Sequence, residues 1–142
     1  MELPVELLNG GYQPQYAHTG DAGLDLRANA EMILKPFERK LCPTGIKIEI
    51  PAGYAGLVVP RSGNAIHRGL TVLNTPGVID SGYRGEVQVI LYNASSDTKI
   101  TVKPGERIAQ LLIQPVVFAD IKIVEKLSSS ERNADGFGST GK

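Results

Sequence analysis

The sequence predicts an all-β protein: an antiparallel jelly-roll or β-barrel-like sandwich with one short helix and a flexible C-terminal tail. Two observations predict this class. Apolar and polar residues alternate in several short windows, and nine prolines and sixteen glycines divide the 142 residues into short pieces. Strict alternation places every second side chain on one face of a strand, and no window sustains the longer apolar period of a helix. Many short strands separated by turns are typical of sandwiches and barrels.

The strands that are easiest to recognise show this alternation directly. Ile46, Ile48 and Ile50 alternate with charged residues, and Val87 and Val89 are spaced in the same way. Turn signals such as Pro-Gly and Ser-Ser-Asp separate these windows. In chain order, we predict strands at residues 3–8, 23–29, 45–50, 55–60, 70–73, 86–93, 98–102, 107–117 and 120–125. The single helix is predicted at residues 64–68.

Composition excludes several classes of function. Fifteen basic and fifteen acidic residues balance, so no long-range field attracts a polyanion, and duplex nucleic acid is not an expected partner. No apolar run is long enough to cross a bilayer, and the acidic start lacks the features of a secretion signal. The single cysteine, Cys42, excludes an internal disulfide and a thiolate metal cluster, and its apolar setting predicts a small core residue. We therefore expect a cytoplasmic protein.

Five segments contain more glycine and polar residues than strands require. In the first, residues 22–26, Asp25 stands between two leucines. It is either a solvent-facing residue of an alternating strand or a carboxylate directed at a metal-bound water. The second segment opens the predicted helix. There Ser62 is either an N-cap or, with Arg61 and Gly63, part of an anion site made of a hydroxyl, a guanidinium and free backbone N–H groups.

The third and fourth segments contain further candidate binding residues. Residues 74–86 form either a simple hairpin with an Asp-Ser-Gly turn or a pocket in which Asn74, Asp80 and Tyr83 hold a flat heterocycle against the backbone. In the fourth segment, Gln110 falls inside a strongly apolar strand. A buried amide must be hydrogen-bonded, so Gln110 either ties down neighbouring backbone or holds a ligand or a water.

The fifth segment is the C-terminal end, residues 132–142. It has one large apolar side chain, Phe137, so it is not expected to form part of a core. A frayed tail is the simplest interpretation. Arg132 nevertheless offers a planar guanidinium to phosphate, Ser139 and Thr140 offer hydroxyls, and Phe137 offers a flat face to a base. The second interpretation is a flap that orders over a nucleotide.

In this order and spacing, the five segments resemble the five motifs of the homotrimeric dUTP pyrophosphatase (dUTPase) family. The resemblance runs from Ala22 to Gly141, and although each motif is weak alone, the ordered set is highly specific. Two departures are visible. The family often has an acidic residue where this chain has Gly82, and it often has glycines where this chain has Asn133 and Asp135. None of these three positions is assigned a chemical role.

The resemblance implies a jelly-roll that hydrolyses dUTP to dUMP and pyrophosphate by Mg²⁺-assisted water attack at the α-phosphorus. Such a reaction keeps uracil out of DNA and supplies dUMP for thymidylate synthesis. The resemblance also implies a homotrimer with shared active sites and no nucleic acid or membrane partner. Residues 1–127 would form the jelly-roll catalytic domain, and residues 128–142 a glycine-rich C-terminal flap that completes a neighbouring subunit's active site.

The resemblance also assigns roles to individual residues. Asp80 would orient and deprotonate the attacking water, while Gln110 would bond a phosphate oxygen or that water. Asp25 would hold Mg²⁺ indirectly, through its waters. The residues with an implied catalytic role are Asp80, Ser62, Gln110 and Arg61. The residues with an implied role in substrate binding are Arg61, Ser62, Gly63, Asn74, Gly77, Val78, Ile79, Asp80, Tyr83, Gln88, Gln110, Arg132, Phe137, Gly138, Ser139 and Thr140.

Three other functions compete with this interpretation. A deoxycytidine triphosphate deaminase shares the fold, but such enzymes are longer and lack the Gly-Phe-Gly-Ser-Thr-Gly ending found here. A jelly-roll module that binds a nucleotide without turnover would be favoured by a missing base, and Asp80 is present. The third is a structural sandwich with a disordered linker, which is distinguished by whether a nucleotide analogue protects the tail from proteolysis.

Overall fold

A computed structural model describes residues 1–131 and 133–134. In this part of the chain, short strands and one helix follow one another until residue 115, and the longest gap between elements is residues 8–23. In chain order the elements are β1 (Val5–Leu7), β2 (Leu24–Arg27), β3 (Met32–Leu34), β4 (Arg39–Ile48), β5 (Tyr54–Val59), α1 (Ser62–Arg68), β6 (Leu70–Val72), β7 (Gly77–Ile79), β8 (Glu86–Asn93), β9 (Ile100–Val102) and β10 (Arg107–Pro115).

The strands form two four-stranded sheets and one two-stranded sheet. The first sheet has the order β1-β4-β8-β6, the second has the order β2-β10-β5-β7, and β3 pairs with β9. Every pairing between these strands is antiparallel. Both larger sheets contribute to one hydrophobic core, with Val89 and Ile48 from the first sheet and Leu26 and Leu111 from the second. The predicted all-β antiparallel sandwich is confirmed.

The alternation in β8 is confirmed in detail. The strand has the predicted bounds, residues 86–93, and its buried residues Val87, Val89 and Leu91 alternate with more accessible positions such as Gln88. Burying one such valine or leucine side chain stabilises the fold by about 1.5–3 kcal/mol. The opposite face of β8 is therefore free to present polar side chains.

Cys42 lies in the core, as predicted, with no exposed surface. Burial raises the pKa of its thiol to about 12, since the thiolate would lose its hydration, and the charges of Glu106 and Glu86 add to the shift. The side chain therefore acts as a small apolar core residue at neutral pH.

Several strand predictions need correction. The short strands β3 and β7 were not predicted, and β4 begins at Arg39 rather than at residue 45. The first half of β4 was not predicted because it contains Pro43, and a proline is unfavourable inside a strand. Here it lies where the register with β8 shifts, an irregularity that tolerates its missing N–H.

The strand predicted at 120–125 is not formed. Its alternating apolar side chains are exposed instead, with Ile121 at 91% and Ile123 at 95% of their full accessibility. The preceding Val117 is also 95% exposed. We call residues 116–131 the C-terminal arm. Alternation signals a strand only where a partner strand exists, and the arm pairs with no strand of the described chain.

The helix α1 begins two residues before its predicted start. Arg61 is the N-cap residue and has extended backbone, with no side-chain cap hydrogen bond. The N-cap interpretation of Ser62 is therefore wrong, since Ser62 is already the first helical residue. The helix ends at Gly69, whose φ of 65° is left-handed and whose N–H donates to the carbonyl oxygen of Ala65 at 3.1 Å. Among the described residues, no helix has the length and hydropathy needed to cross a membrane.

The simple hairpin, one of the two interpretations given for residues 74–86, is not formed. The strand β7 pairs with β5, and β8 pairs with β4 and β6, so the two strands belong to different sheets. A tight turn is nevertheless formed between them, because the N–H of Tyr83 donates to the carbonyl oxygen of Asp80 at 3.0 Å. This stretch, which we call the crossing segment (residues 80–85), carries the chain from one sheet to the other and leaves Asp80 and Tyr83 exposed.

Candidate active site

The crossing segment and the outer face of β8 border a cleft of about 280 Å³. The structure brings six of the predicted substrate-binding residues together in its lining. The complete lining is Leu41, Asn74, Val78, Ile79, Asp80, Tyr83, Glu86, Val87, Gln88 and Ile90. Apolar walls combined with a few converging polar groups are what a flat heterocycle requires.

Tyr83 is held firmly at this cleft. Its hydroxyl donates a hydrogen bond to the carbonyl oxygen of Glu86 at 2.9 Å. Its ring lies against Gly85, where an added Cβ would come within 2.4 Å of the hydroxyl oxygen and 2.6 Å of Cζ. A side chain at position 85 would therefore displace the ring. Gly85 and Glu86 therefore hold the Tyr83 ring in place as a wall of the cleft.

Asn74 and Asp80 lie on the accessible side of the same cleft. Gly77 is buried, and a Cβ placed there would lie 3.0 Å from Nδ2 of Asn74, so the amide rests closely against the start of β7. Asp80 is exposed at the beginning of the turn. An exposed carboxylate at the entrance of a cleft can hold a water against a ligand inside it.

A second group of predicted residues gathers around Asp25. This carboxylate is 5% exposed, and each of its oxygens accepts one guanidinium N–H. Nε of Arg61 donates to Oδ1 at 3.0 Å, and a terminal nitrogen of Arg107 donates to Oδ2 at 3.2 Å. Burying a carboxylate is unfavourable without such partners. Two cations around one anion leave this trio with a net positive charge.

Gln110 belongs to the same group. In the ladder between β2 and β10 it lies directly opposite Asp25, and on its other side it lies opposite Val59. Its side chain covers Gly23, where an added Cβ would lie 3.0 Å from Cβ of Gln110 and 3.3 Å from Cδ. Gln110 is half-buried, so its amide can still reach a ligand.

Ser62 and Gly63 follow Arg61 directly and are exposed in the first turn of α1. We call Asp25, Arg61, Ser62, Gly63 and Gln110 the Arg61 group. Its members combine a guanidinium, a hydroxyl, an amide and backbone N–H groups, all of which can donate to phosphate oxygens.

The structure does not bring the cleft and the Arg61 group together within one chain. Gly56 pairs with Ile79, so Asp80, which follows Ile79, lies near the level of Ala55 on β5. Arg61 lies six residues further along, which at roughly 3.3 Å per residue corresponds to about 20 Å. None of the Arg61 group lines the cleft.

Predictions for the C-terminal tail fall outside the described residues. They concern Arg132, Phe137, Gly138, Ser139 and Thr140.

Sequence reasoning missed several residues that the geometry places in these regions, among them Leu41, Glu86 and Arg107. Leu41 and Glu86 line the cleft, and Oε1 of Glu86 also accepts the N–H of Gly45 at 2.8 Å. Arg107 binds Asp25. A signal for Glu86 was present, since it is the charged residue that opens the alternating run of β8. Arg107 stands 82 residues from Asp25 and gives no comparable signal.

The described residues hold no group of three or more His, Cys, Asp or Glu side chains able to bind a metal ion. Asp25 is the residue that the sequence analysis proposed for contact with a metal ion. Each carboxylate oxygen of Asp25 accepts one hydrogen bond from a guanidinium N–H and can accept a second hydrogen bond. Asp25 therefore fits an indirect contact to a cation, through a bound water, better than direct ligation.

Fold and site together define a class: an all-β protein with one place for a flat heterocycle and another for an anion, as a nucleotide requires. Comparison with known proteins then makes the identity specific. A family model described as dUTPase matches residues 11–141. The chain belongs to the dUTPase family, so the resemblance seen in the five motifs is confirmed.

Curated relatives agree with this assignment. The chain is 54% identical over 129 residues to a deoxyuridine 5′-triphosphate nucleotidohydrolase of Bifidobacterium longum (strain DJO10A), covering 91% of this chain and 82% of that protein. It is 49% identical over 142 residues to the enzyme of the same name from Clostridium kluyveri, covering 99% of each.

Solved structures with the same fold are also dUTPases. The dUTPase of Staphylococcus bacteriophage 80alpha with dUpNHpp matches with a TM-score of 0.91 and 32% identity, covering 99% of both chains. A variant dUTPase from phage phi11 of S. aureus, which shows the coordination of a structural Mg(II) ion, matches with a TM-score of 0.84 and 27% identity. That match covers 91% of this chain and 100% of the phage chain.

Proposed function

We propose that this protein hydrolyses dUTP to dUMP and pyrophosphate. The observation that carries the proposal is the cleft in which Asn74, Asp80, Tyr83 and Gln88 converge, in a chain that belongs to the dUTPase family. Acting on the cytoplasmic nucleotide pool, the enzyme keeps uracil out of DNA and supplies dUMP for thymidylate synthesis.

The cleft accounts for the choice of nucleotide. Uracil pairs with Asn74 and with backbone groups of residues 78–80. Cytosine presents a donor where uracil presents an acceptor, so its binding leaves polar groups unpaired, which discriminates strongly. Tyr83, held by its bond to the carbonyl of Glu86, occupies the space that a 2′-hydroxyl would need. Deoxyuridine is therefore favoured over both cytidine and ribose-containing nucleotides.

Asp80 is the proposed catalytic base. Its carboxylate holds a water beside the α-phosphorus and takes one of its protons as the water oxygen bonds to phosphorus. The bond from the α-phosphorus to the oxygen bridging to the β-phosphate breaks, and pyrophosphate leaves. General-base assistance of this kind contributes about 10²–10⁴-fold to the rate. The remaining acceleration comes from orientation and charge stabilisation.

The Arg61 group holds the phosphate chain. Arg61, Ser62 and Gly63 donate to phosphate oxygens as charge shifts toward pyrophosphate, and Gln110 donates to a phosphate oxygen or orients the water. When bound, Mg²⁺ neutralises charge on the phosphates, and Asp25 would hold it through its waters. In the tail, Phe137 stacks on the base while Arg132, Gly138, Ser139 and Thr140 close over the γ-phosphate.

We further propose a homotrimer with shared active sites. Along β5, Asp80 and Arg61 are about 20 Å apart at roughly 3.3 Å per residue, and no residue of the Arg61 group lines the cleft of its own chain. The cleft of one protomer therefore faces the Arg61 group of another. Residues 1–127 form the catalytic domain, and residues 128–142 form the flap that completes a neighbour's site.

The C-terminal arm supports this assembly. Val117, Phe118, Ile121 and Ile123 are each at least 80% exposed, and such a run of apolar side chains on one segment marks a contact surface. The strand β1 lies at the edge of its sheet and offers unpaired backbone groups to an added strand. An arm extending to a neighbouring protomer would also carry the flap there.

The activity is tested by incubating the protein with each deoxynucleoside triphosphate and Mg²⁺ and measuring pyrophosphate. We expect release from dUTP far above release from dATP, dCTP, dGTP and dTTP. Ammonia is measured in the same dCTP reaction. Ammonia release, or no pyrophosphate from dUTP, would contradict the proposal.

The shared site is tested by complementation. Chains carrying Asp80→Asn and chains lacking residues 128–142 are each expected to be inactive. After the two are unfolded together and reassembled, some sites would combine an intact Asp80 with an intact flap from another chain, so partial activity is expected. Complete inactivity despite mixed assemblies, confirmed by mass spectrometry, would exclude sharing.

A further inference from the structure

Arg107 is linked to the start of α1 in two ways, through Asp25 and through Asn64. Its guanidinium donates to Oδ2 of Asp25 at 3.2 Å, while Oδ1 of the same carboxylate accepts Nε of Arg61 at 3.0 Å. Its backbone carbonyl oxygen accepts a hydrogen bond from Nδ2 of Asn64 at 3.0 Å. Arg61 and Asn64 are three residues apart at the start of α1. The four residues therefore form a closed ring of contacts that links β2, β10 and the start of α1.

An irregularity in β10 brings Arg107 to this position. Arg107 lies opposite Arg27, but the register shifts between Arg107 and Ala109, and the consecutive residues Ile108 and Ala109 are both buried. In a regular strand, Arg107 and Gln110 are an odd number of residues apart and would face opposite sides. One extra residue places them on the same side, which is a known effect of a β-bulge.

The contact of Arg107 restricts how Arg61 can bind Asp25. An arginine beside a free carboxylate prefers a bidentate arrangement that uses both oxygens. Here Oδ2 accepts a guanidinium N–H of Arg107, and Arg61 bonds only Oδ1, through its Nε. The two terminal nitrogens of Arg61 carry four further N–H donors. These are the donors that suit phosphate oxygens.

We propose that Arg107 is a positioning residue for the phosphate chain, acting through Asp25 on Arg61. Arg107 binds one oxygen of the Asp25 carboxylate and so disfavours a bidentate ion pair between Arg61 and both oxygens. The terminal nitrogens of Arg61 then stay available for phosphate. The carbonyl of Arg107 holds the first turn of α1 through Asn64. This inference rests on the proposed dUTP hydrolysis and adds a residue to it.

The test compares three single variants: Arg107→Met, Arg61→Met and, as a matched control, Arg27→Met. Arg27 lies opposite Arg107 in the same strand pair, but its guanidinium donates to the carbonyl oxygen of Gly105 at 2.7 Å rather than to Asp25. Calorimetry without metal measures the binding of deoxyuridine and of dUpNHpp, and steady-state assays with Mg²⁺ give kcat and KM for dUTP.

We expect Arg107→Met to weaken dUpNHpp binding about tenfold or more, which corresponds to one strong charge-assisted contact, while deoxyuridine binding stays unchanged. Arg27→Met leaves both affinities unchanged. Unchanged dUpNHpp binding in Arg107→Met would overturn the inference. Equal losses for deoxyuridine and dUpNHpp would also overturn it, since they indicate general damage to the fold.

A double variant separates positioning from a direct contact. If Arg107 acts through Arg61, adding Arg107→Met to Arg61→Met lowers dUpNHpp affinity by less than about twofold further, because the partner it positions is already gone. Fully additive losses would contradict the inference. A parent protein that releases no pyrophosphate from dUTP refutes the proposed function instead, and binding of dUpNHpp still tests the role of Arg107.

Should Arg107→Met fail to fold, Arg107→Lys decides the question. A lysine keeps the charge at Oδ2 but not the planar guanidinium. A smaller loss of dUpNHpp affinity, roughly two- to fivefold, is expected, and it should disappear when Arg61 is Met. No loss, or a loss that persists without Arg61, would overturn the inference.

Discussion

The cleft and the Arg61 group are built in different ways. Most of the cleft comes from one stretch of sequence, residues 74–90, and most of its polar side chains are accessible, with Tyr83 46% exposed. The Arg61 group joins residues far apart in sequence through an almost fully buried carboxylate, Asp25. The proposed nucleoside-binding part is thus local and open, and the proposed phosphate-binding part depends on the completed tertiary structure.

This difference predicts which substitutions affect function alone and which also affect stability. Substitutions of the polar residues in the cleft should alter the chemical step or the choice of nucleotide without weakening the fold, because these side chains are not part of the hydrophobic core. Substitutions around Asp25 should alter phosphate binding and, where they disturb the ion pairs, stability as well.

The largest effect is expected from Asp80→Asn. The amide keeps the shape of the carboxylate but cannot take a proton from water, so kcat for dUTP should fall about 10²–10⁴-fold. KM should change little, because binding of the base and the phosphates is retained. Steady-state kinetics measure both, and thermal unfolding shows whether the fold is intact. An unchanged kcat in a folded variant would remove Asp80 from catalysis.

Gly85→Ala should weaken discrimination against UTP. The new methyl would overlap the ring of Tyr83, with 2.4 Å to its hydroxyl oxygen, so the ring must move at a cost of about 1–3 kcal/mol. The ratio of kcat/KM for dUTP over UTP is expected to drop roughly tenfold. Gly82→Ala is the matched control, since a Cβ there meets nothing within 4 Å. Equal ratios in the two variants would show that the position of Tyr83 does not set sugar selectivity.

A smaller effect is expected on the other side of the comparison, from Gly23→Ala. The new methyl would lie 3.0 Å from Cβ of Gln110 and press its side chain out of place. A displaced rotamer costs about 0.5–1.5 kcal/mol, which predicts a fall in kcat of roughly two- to tenfold. Deoxyuridine binding, measured by calorimetry, should not change. A loss of deoxyuridine affinity would mean that the two regions are less independent than their geometry indicates.

The smallest effect on activity is expected at Cys42, which belongs to neither region. With its pKa raised from 9.0 to about 12 by burial, the folded thiol holds about a thousandfold less thiolate at pH 8 than an unperturbed one. A disulfide reagent should react slowly with the native protein and rapidly after unfolding. Rapid labelling of the native protein would contradict the buried position.

The same shift has a consequence for stability. The unfolded chain releases this proton first as the pH rises, so the contribution of Cys42 to the free energy of unfolding is complete below about pH 9. It is lost progressively between about 9 and 12. Cys42→Ala should remove this component, which chemical denaturation at pH 8 and pH 10 would detect.

Much of the fold followed from local patterns. Alternation located β8 with its observed bounds, because one face of that strand packs on the core and the other does not. The three-residue strands β3 and β7 are too short to show a period, and Pro43 concealed part of β4. The predicted strand at 120–125 has the right pattern but no partner strand within the described chain.

The candidate site was predictable only in part. The residues of the cleft were found because they cluster in sequence around Asp80. The crossing of residues 80–85 from one sheet to the other was not predicted, since an Asp-Ser-Gly turn fits a hairpin equally well. The contact between Asp25 and Arg107 depends on a strand irregularity and a separation of 82 residues, which no local pattern reveals.

The position of β10 in its sheet has a consequence for biosynthesis. The edge strand β2 is synthesised about 80 residues before β10, its neighbour in the sheet. At 5–20 residues per second, that delay on the ribosome is roughly 4–16 s. Asp25 lacks Arg107 until the end of this delay, whereas every residue that lines the cleft, up to Ile90, is translated before Arg107. A nascent chain would thus carry every residue of the proposed nucleoside cleft before it gains the Arg107 contact of the proposed phosphate site.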